Sequence, residues 1–194
     1  MVKILGISGS LRAQSFNTAL LRAALEAAGS DVQIEAATLH GVPLYDGDLE
    51  QRDGTPAAVR ELKQRILAHD GLLMVTPEYN NGVPGVFKNA VDWLSRKTID
   101  LPPVFADRPV AVIGASPGGF GTIMAQNHWL PVLRTLGARY WSGGRLMVSR
   151  AQSVFGSDGT LQDDAIRKQL AEFIQGFAQF VASGKKFPDA RPAG

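Results

Sequence analysis

The sequence predicts an α/β protein: a parallel sheet covered by helices on both faces. Three observations carry this reading. Short apolar runs that read as buried strands alternate with longer segments whose apolar residues recur at helical spacing. The alternation yields five strands and five helices in turn, the order that builds a parallel sheet through helical crossovers. Apolar residues make up 45% and charged residues 20% of the 194 positions, enough for a core that needs no covalent staples.

Each element has its own justification. Val2 to Ile7 is a short apolar run that ends in a Gly/Ser cluster, and so reads as a buried strand. Phe16, Leu20, Ala24 and Ala28, with Leu21 and Leu25 beside them, mark one face of a helix over 16–28. Val32, Ile34 and Ala36 alternate with polar neighbours as a half-buried strand does. His40 to Gly54 is rich in Gly and acidic residues and reads as a surface loop. Val59, Leu62, Ile66 and Leu67 give a helix over 57–68, and 71–76 is a third strand ended by Pro77. Pro84 stands where a first-turn proline is tolerated, ahead of Val86, Phe87, Ala90, Val91 and Leu94 at helical spacing. A Pro-rich connection from Asp100 to Pro109 leads into a strand over 110–115. The helix predicted over 122–136 contains Pro131, which implies a kink or break. Arg139 to Ser149 is extended and interrupted by Gly143 and Gly144, and 161–181 is a long closing helix. One domain over 1–183 is expected, followed by a frayed tail over 184–194.

Composition excludes several functions. The chain has no cysteine, which removes disulfides, thiolate metal sites and thiol catalysis, and fits a reducing cytoplasm. The net charge is +2 with scattered basic residues, so the dense basic stripe of a nucleic-acid binder is missing. No apolar run has the ~18 residues of a membrane span. His40, His69 and His128 share no metal-ligand spacing, and no G-x-S-x-G elbow anchors a hydrolase triad. His69 ends a helix, Lys88 and Asp92 form an i,i+4 pair, and Trp93, Trp129 and Trp141 suit a core or a subunit interface.

In a doubly wound sheet, ligands lie beyond the carboxyl ends of the strands at the topological switch point. That directs attention to the loops after the first, third and fourth strands. The first, Gly6 to Thr18, matches neither a dinucleotide fingerprint nor a P-loop. It supplies Ser8, Ser10, Ser15, Asn17 and Thr18 with Arg12 as the one cation, ahead of a helix N-terminus. Such a loop suits a terminal phosphate. The alternative is that Ser8 to Ser10 turn the chain and Ser15 caps the helix. The third-strand loop, 77–85, is stiffened by two prolines and suits a flat ring that needs hydrogen bonds at its edge; the alternative is a plain Asn-Gly turn. The fourth-strand loop places three glycines within 118–121, as bare backbone lying against a ligand would, or as a flexible loop would.

Gly-Ser-Leu-Arg at 9–12 with Ser15-Phe16-Asn17, then Thr76-Pro77-Glu78-Tyr79-Asn80, then 88–96 beginning Lys88-Asn89-Ala90, resemble the NADPH-dependent FMN reductase family, and within it the quinone and chromate reductases. The resemblance spans about residues 2 to 180. It implies a five-stranded flavodoxin-like fold, bound FMN, NADPH or NADH as co-substrate, a small-molecule electron acceptor, and a homodimer or homotetramer with the flavin near a subunit interface. It assigns Ser10, Arg12, Ser15 and Asn17, with Leu11 and Phe16 between them, to the FMN phosphate. Pro77, Glu78, Tyr79 and Asn80 with Asn81 would line the flavin ring, and Ser116 with Gly119 would complete the site. Many relatives carry an aromatic residue where this chain has Asn81.

Overall fold

The computed structural model describes residues 1–98 and 101–184. Asp100 of the predicted connection, and the predicted tail from 185 onward, lie outside the described residues. The strands are β1 (Val2–Ser8), β2 (Val32–Ala37), β3 (Gly71–Val75), β4 (Pro109–Ala115), β5 (Arg139–Tyr140) and β6 (Met147–Val148). The helices are α1 (Phe16–Glu26), α2 (Gly47–Asp53), α3 (Ala57–Leu67), α4 (Gly85–Ser95), α5 (Ile123–Thr135) and α6 (Asp164–Ala182). Every strand pairing is parallel, in the order β2-β1-β3-β4-β5, with β6 also on β4. This is the flavodoxin-like order, whose switch point lies between β1 and β3.

The central strands are buried on both sides, as parallel strands under two helical layers must be. On β3, Leu73 and Val75 pack with Leu20, Leu21, Phe173 and Phe177 under α1 and α6. Leu72 and Met74 face the other way, into Leu62, Ile66, Phe87, Trp93 and Trp129 under α3, α4 and α5. Trp93 and Trp129 are fully buried, which makes them core residues and takes Trp93 out of any subunit contact. Trp141 is half-buried, edge-on to Phe173 at 4.7 Å.

Several sequence expectations are corrected. Within the loop predicted over 40–54 lies α2, capped by Asp46, whose side chain accepts from the backbone N–H of Asp48 and Leu49. On β2 the inward residue after Ile34 is Ala37, while Ala36 is exposed. The last extended segment divides in two. β5 pairs with Pro109 and Val110, and β6 with Gly114 and Ala115. Between them Trp141 bends over Gly143 and Gly144, where an added Cβ would approach its ring within 2.6 and 2.8 Å. Of the kink or break expected at Pro131, the break does not occur: α5 runs from Ile123 to Thr135 with Pro131 on its exposed side. The closing helix starts three residues later than predicted, capped by Asp163, because Leu161 bridges back to Phe155.

Candidate functional site

The loop after β1 is anchored before it opens. Gly9 donates its N–H to Val75 O at 2.8 Å. A Cβ there would come within 2.2 Å of Phe87 and 2.9 Å of Pro77, so only glycine lets the first and third loops meet so closely. Ser15 caps α1, its Oγ accepting from Asn17 N at 3.2 Å and Thr18 N at 3.4 Å. Ser10 Oγ accepts from Arg12 N at 3.2 Å, and the Ser8 and Thr18 hydroxyls bond to each other at 2.9 Å. Ser10 and Ser15 are buried, whereas Leu11 and Arg12 are exposed. Among the described residues, no protein acceptor meets the backbone N–H groups of Ser10, Leu11, Ala13, Gln14, Ser15 or Phe16. Six donors, two serine hydroxyls and the Arg12 guanidinium at a helix N-terminus fit a phosphate monoester.

Two further side chains bolt the neighbouring loops into place. Asn17 is buried; its Nδ2 donates to Ala115 O at 2.8 Å and its Oδ1 accepts from Ala115 N at 2.9 Å. The start of α1 is thereby fastened to the end of β4, and what Asn17 turns toward the first loop is backbone. Glu78 reaches from the third loop to the N-terminus of α5, accepting from Met124 N at 2.9 Å and Ala125 N at 3.0 Å. It supplies the cap that Thr122 does not, since Thr122 makes no side-chain capping bond.

The remaining residues form the rims. Tyr79 and Gly82 exchange two backbone hydrogen bonds, and Asn80 (φ 51°) and Asn81 (φ 58°) form the two-residue turn between them. Two consecutive positive φ values define a type I′ hairpin, for which Asn is suited. Thus Asn80 and Asn81 hold a protruding turn, and the Asn-Gly alternative is displaced by one residue. Pro77 is buried at its base. Ser116 donates to Gly121 O at 2.5 Å and closes the fourth loop on itself, while Gly119 faces open space. Phe16 stacks on Phe155 at 6.0 Å. All thirteen predicted residues thus sit on three loops and the first turn of α1, held together at the carboxyl ends of β1, β3 and β4.

What sequence reasoning missed is the wall contributed by 152–159. A cleft of about 670 Å³ lies between Arg12, Ser15, Phe16 and Arg22 on one side and Gln152, Phe155 and Asp158 on the other. Its lining includes no residue of the third or fourth loop. The turn run Gly156-Ser157-Asp158-Gly159 was the available signal. The Asp158 carboxyl is held below its ordinary range by the N–H and hydroxyl of Thr160, both of which donate to it. The groups that resembled other chemistry are structural. Lys88 pairs with Asp92 at 2.6 Å, and His69 Nδ1 donates to Arg65 O at 2.7 Å at the end of α3. Among the described residues no cluster of three or more His, Asp or Glu could hold a metal, and no helix is long and apolar enough to cross a membrane.

Fold and site together define a flavodoxin-like protein with a phosphate-fitting loop at its switch point. Residues 2–153 match the NADPH-dependent FMN reductase family, and the chain belongs to it. It is 41% identical over 182 residues to an NAD(P)H-dependent FMN reductase of Pseudomonas aeruginosa, covering 93% of this chain and 95% of that one. It is 37% identical to a 2-hydroxy-1,4-benzoquinone reductase of a Burkholderia species, covering 93% and 96%. Among solved structures, the flavoenzyme NAD(P)H:(acceptor) oxidoreductase FerB of Paracoccus denitrificans superposes with a TM-score of 0.83 at 29% identity, covering 95% of this chain and 99% of that one. Membership supports FMN-dependent NAD(P)H oxidoreductase chemistry on a small acceptor.

Proposed function

We propose that this chain is an FMN-dependent NAD(P)H:quinone oxidoreductase, with chromate, azo compounds and free flavin as further acceptors. The observation that carries it is the row of unpaired backbone N–H groups, flanked by Ser10, Ser15 and Arg12, at the switch point. When bound, FMN supplies the hydride relay between NAD(P)H and the acceptor, and the protein supplies binding, orientation and electrostatics. In this reading the loop over 10–16 grips the phosphate and Asn17 keeps that loop seated. Pro77 and the 79–82 hairpin border the ring, with Glu78 holding the hairpin's base against α5. Ser116 and Gly119 complete the border on the other side, where Gly119 leaves room for a close approach. No protein nucleophile is required.

The quinone acceptor is supported by the Burkholderia relative and by an Escherichia coli quinone reductase 34% identical over 182 residues. An assembly of two or four copies is supported by the exposed apolar side chains at the rim: Tyr79, Phe120, Ile123 and Met124. A flavodoxin-type electron carrier without its own turnover is the second reading. The net charge of +2 speaks against it, because carriers that dock on basic partners depend on acidic surfaces.

The purified protein is expected to carry about one FMN per chain, and bound FMN is expected to bleach on anaerobic addition of NADPH and recover with a quinone. Initial rates at several quinone concentrations should give parallel double-reciprocal lines, because NAD(P)H and quinone share one open face. A protein that takes up no FMN at micromolar concentration would sink the proposal. Reduction by neither NADH nor NADPH would leave the carrier in its place.

A further inference from the structure

A second cleft, of about 380 Å³, lies on the other side of the first loop, between α1 and the end of β2. Ser10, Arg12, Thr18, Arg22, Thr38 and His40 line it, over an apolar floor that includes Leu21 and Ala37, and among the described residues no Asp or Glu lines it. Arg65 also borders it but is committed, bonding Glu35 Oε1 at 2.7 Å and Ala36 O at 2.6 Å. Arg12 and Arg22 are not: among the described residues neither has a carboxylate partner or a hydrogen bond from its guanidinium. Both are exposed, and both border this cleft and the 670 Å³ cleft alike. Two guanidiniums that border the same clefts with no carboxylate beside them are the arrangement expected where an anionic ligand supplies the missing charge.

One phosphate does not use up these groups. The loop over 10–16 already offers six N–H donors, two hydroxyls and Arg12, and Arg22 stands farther along α1, toward β2. The two clefts differ in charge. The larger borders residues 12–16, already assigned to the flavin phosphate, and contains Asp158, whose carboxyl is held below its ordinary range by two donors from Thr160. Among the described residues the β2 cleft has no such carboxylate, and its apolar floor offers a surface for an adenine ring. It also opens at the carboxyl ends of the strands, the same edge of the sheet as the switch point. A dinucleotide with its nicotinamide at the third and fourth loops could therefore lay its far end over the first.

We propose that the cleft between α1 and the end of β2 receives the adenosine half of NADPH, with Arg22 pairing with the 2′-phosphate of its ribose and Arg12 standing between that phosphate and the flavin's. The inference rests on the flavoreductase reading and adds what selects NADPH over NADH. The same pairing of an arginine with a ribose 2′-phosphate recurs in other dinucleotide folds beside the second strand.

The test is calorimetric titration of the full FMN-loaded chain with 2′,5′-ADP and with 5′-AMP, which differ only in the 2′-phosphate. The unmodified chain should bind 2′,5′-ADP at least about tenfold more tightly, as a charge-assisted bidentate pair warrants. Arg22→Gln should erase most of that gap and lower the NADPH-to-NADH ratio of kcat/KM by about tenfold or more. Arg22→Lys should restore part of both. Arg22 is exposed on α1 and glutamine is a good helix former, so the variant keeps the fold. Equal binding of the two nucleotides, or a gap that survives Arg22→Gln, would overturn the inference and leave the flavoreductase reading standing. Failure of the unmodified chain to take up FMN would remove both.

Discussion

Asn17 and Ser15 stand two residues apart on the same turn, yet they serve the site in different ways. The Asn17 amide satisfies both backbone groups of Ala115. Asn17→Ala would leave that N–H and C=O buried without partners, at about 1–3 kcal/mol each. Urea denaturation should therefore show a loss of roughly 2–6 kcal/mol, and a variant as stable as the parent would show that the bolt is dispensable. Ser15→Ala removes only a cap, worth about 0.5–2 kcal/mol. It should leave a folded protein whose FMN affinity, read by fluorescence titration, falls about tenfold or more through loss of a hydrogen bond to a charged group. Unchanged affinity would mean that Ser15 is a helix cap and nothing else. Ser15 was legible in the sequence because a cap is a local event, a serine just ahead of an apolar periodic run. Asn17 looked like its companion, and its actual partner lies 98 residues away.

Among the elements, α3 is tied to the chain after α4 by a buried lysine. Lys63 is 2% exposed, and its Nζ donates to Arg96 O at 2.5 Å and Thr98 Oγ1 at 2.6 Å. Burial pushes its ammonium below the ordinary lysine range. The folded chain thus releases this proton before the unfolded chain does, which titrates at about 10.4. Between the two values the unfolded state binds more protons, so stability contributed by this residue rises with pH over that window and levels off above it. Urea unfolding of the parent and of Lys63→Met across the alkaline range should show this rise in the parent alone; matching slopes would refute it. Gly121 joins the fourth loop to β6. It has φ +63°, and a Cβ there would come within 2.8 Å of the Met147 backbone. Gly121→Ala should cost roughly 2–5 kcal/mol from strain and overpacking together. The helix α2 shows why one element escaped periodicity. It has seven residues and buries none of them, so it has no apolar stripe to detect. Its signals are at its ends: Asp46 as cap, Asp48 and Glu50 in the first turn, and Gly54 at φ 76° after the last.

For the whole molecule, a ligand held by three loops from three strands should stabilise the fold that brings them together. At FMN a hundredfold above its Kd, linkage gives about 2.7 kcal/mol, or a Tm rise of roughly 5–10 °C for a chain of this size. Riboflavin, which lacks the phosphate, should give a much smaller rise in the same thermal scan. Equal rises would show that the first loop does not hold the phosphate. The alternation of strands and helices, the three loops that follow β1, β3 and β4, and the Ser15 cap were determined by the sequence itself, because each follows from side-chain periodicity or from partners a few residues apart. Tertiary structure alone decided that Asn17 fastens α1 to β4, that Glu78 caps a helix 46 residues on, and that the last strand divides between two stretches of β4. It also decided that, among the described residues, Arg12 and Arg22 stand without carboxylates while Arg65 pairs with Glu35. These contacts join residues whose separation along the chain follows no local period, and they exist only once the parallel sheet has brought the ends of β1, β2, β3 and β4 to one edge.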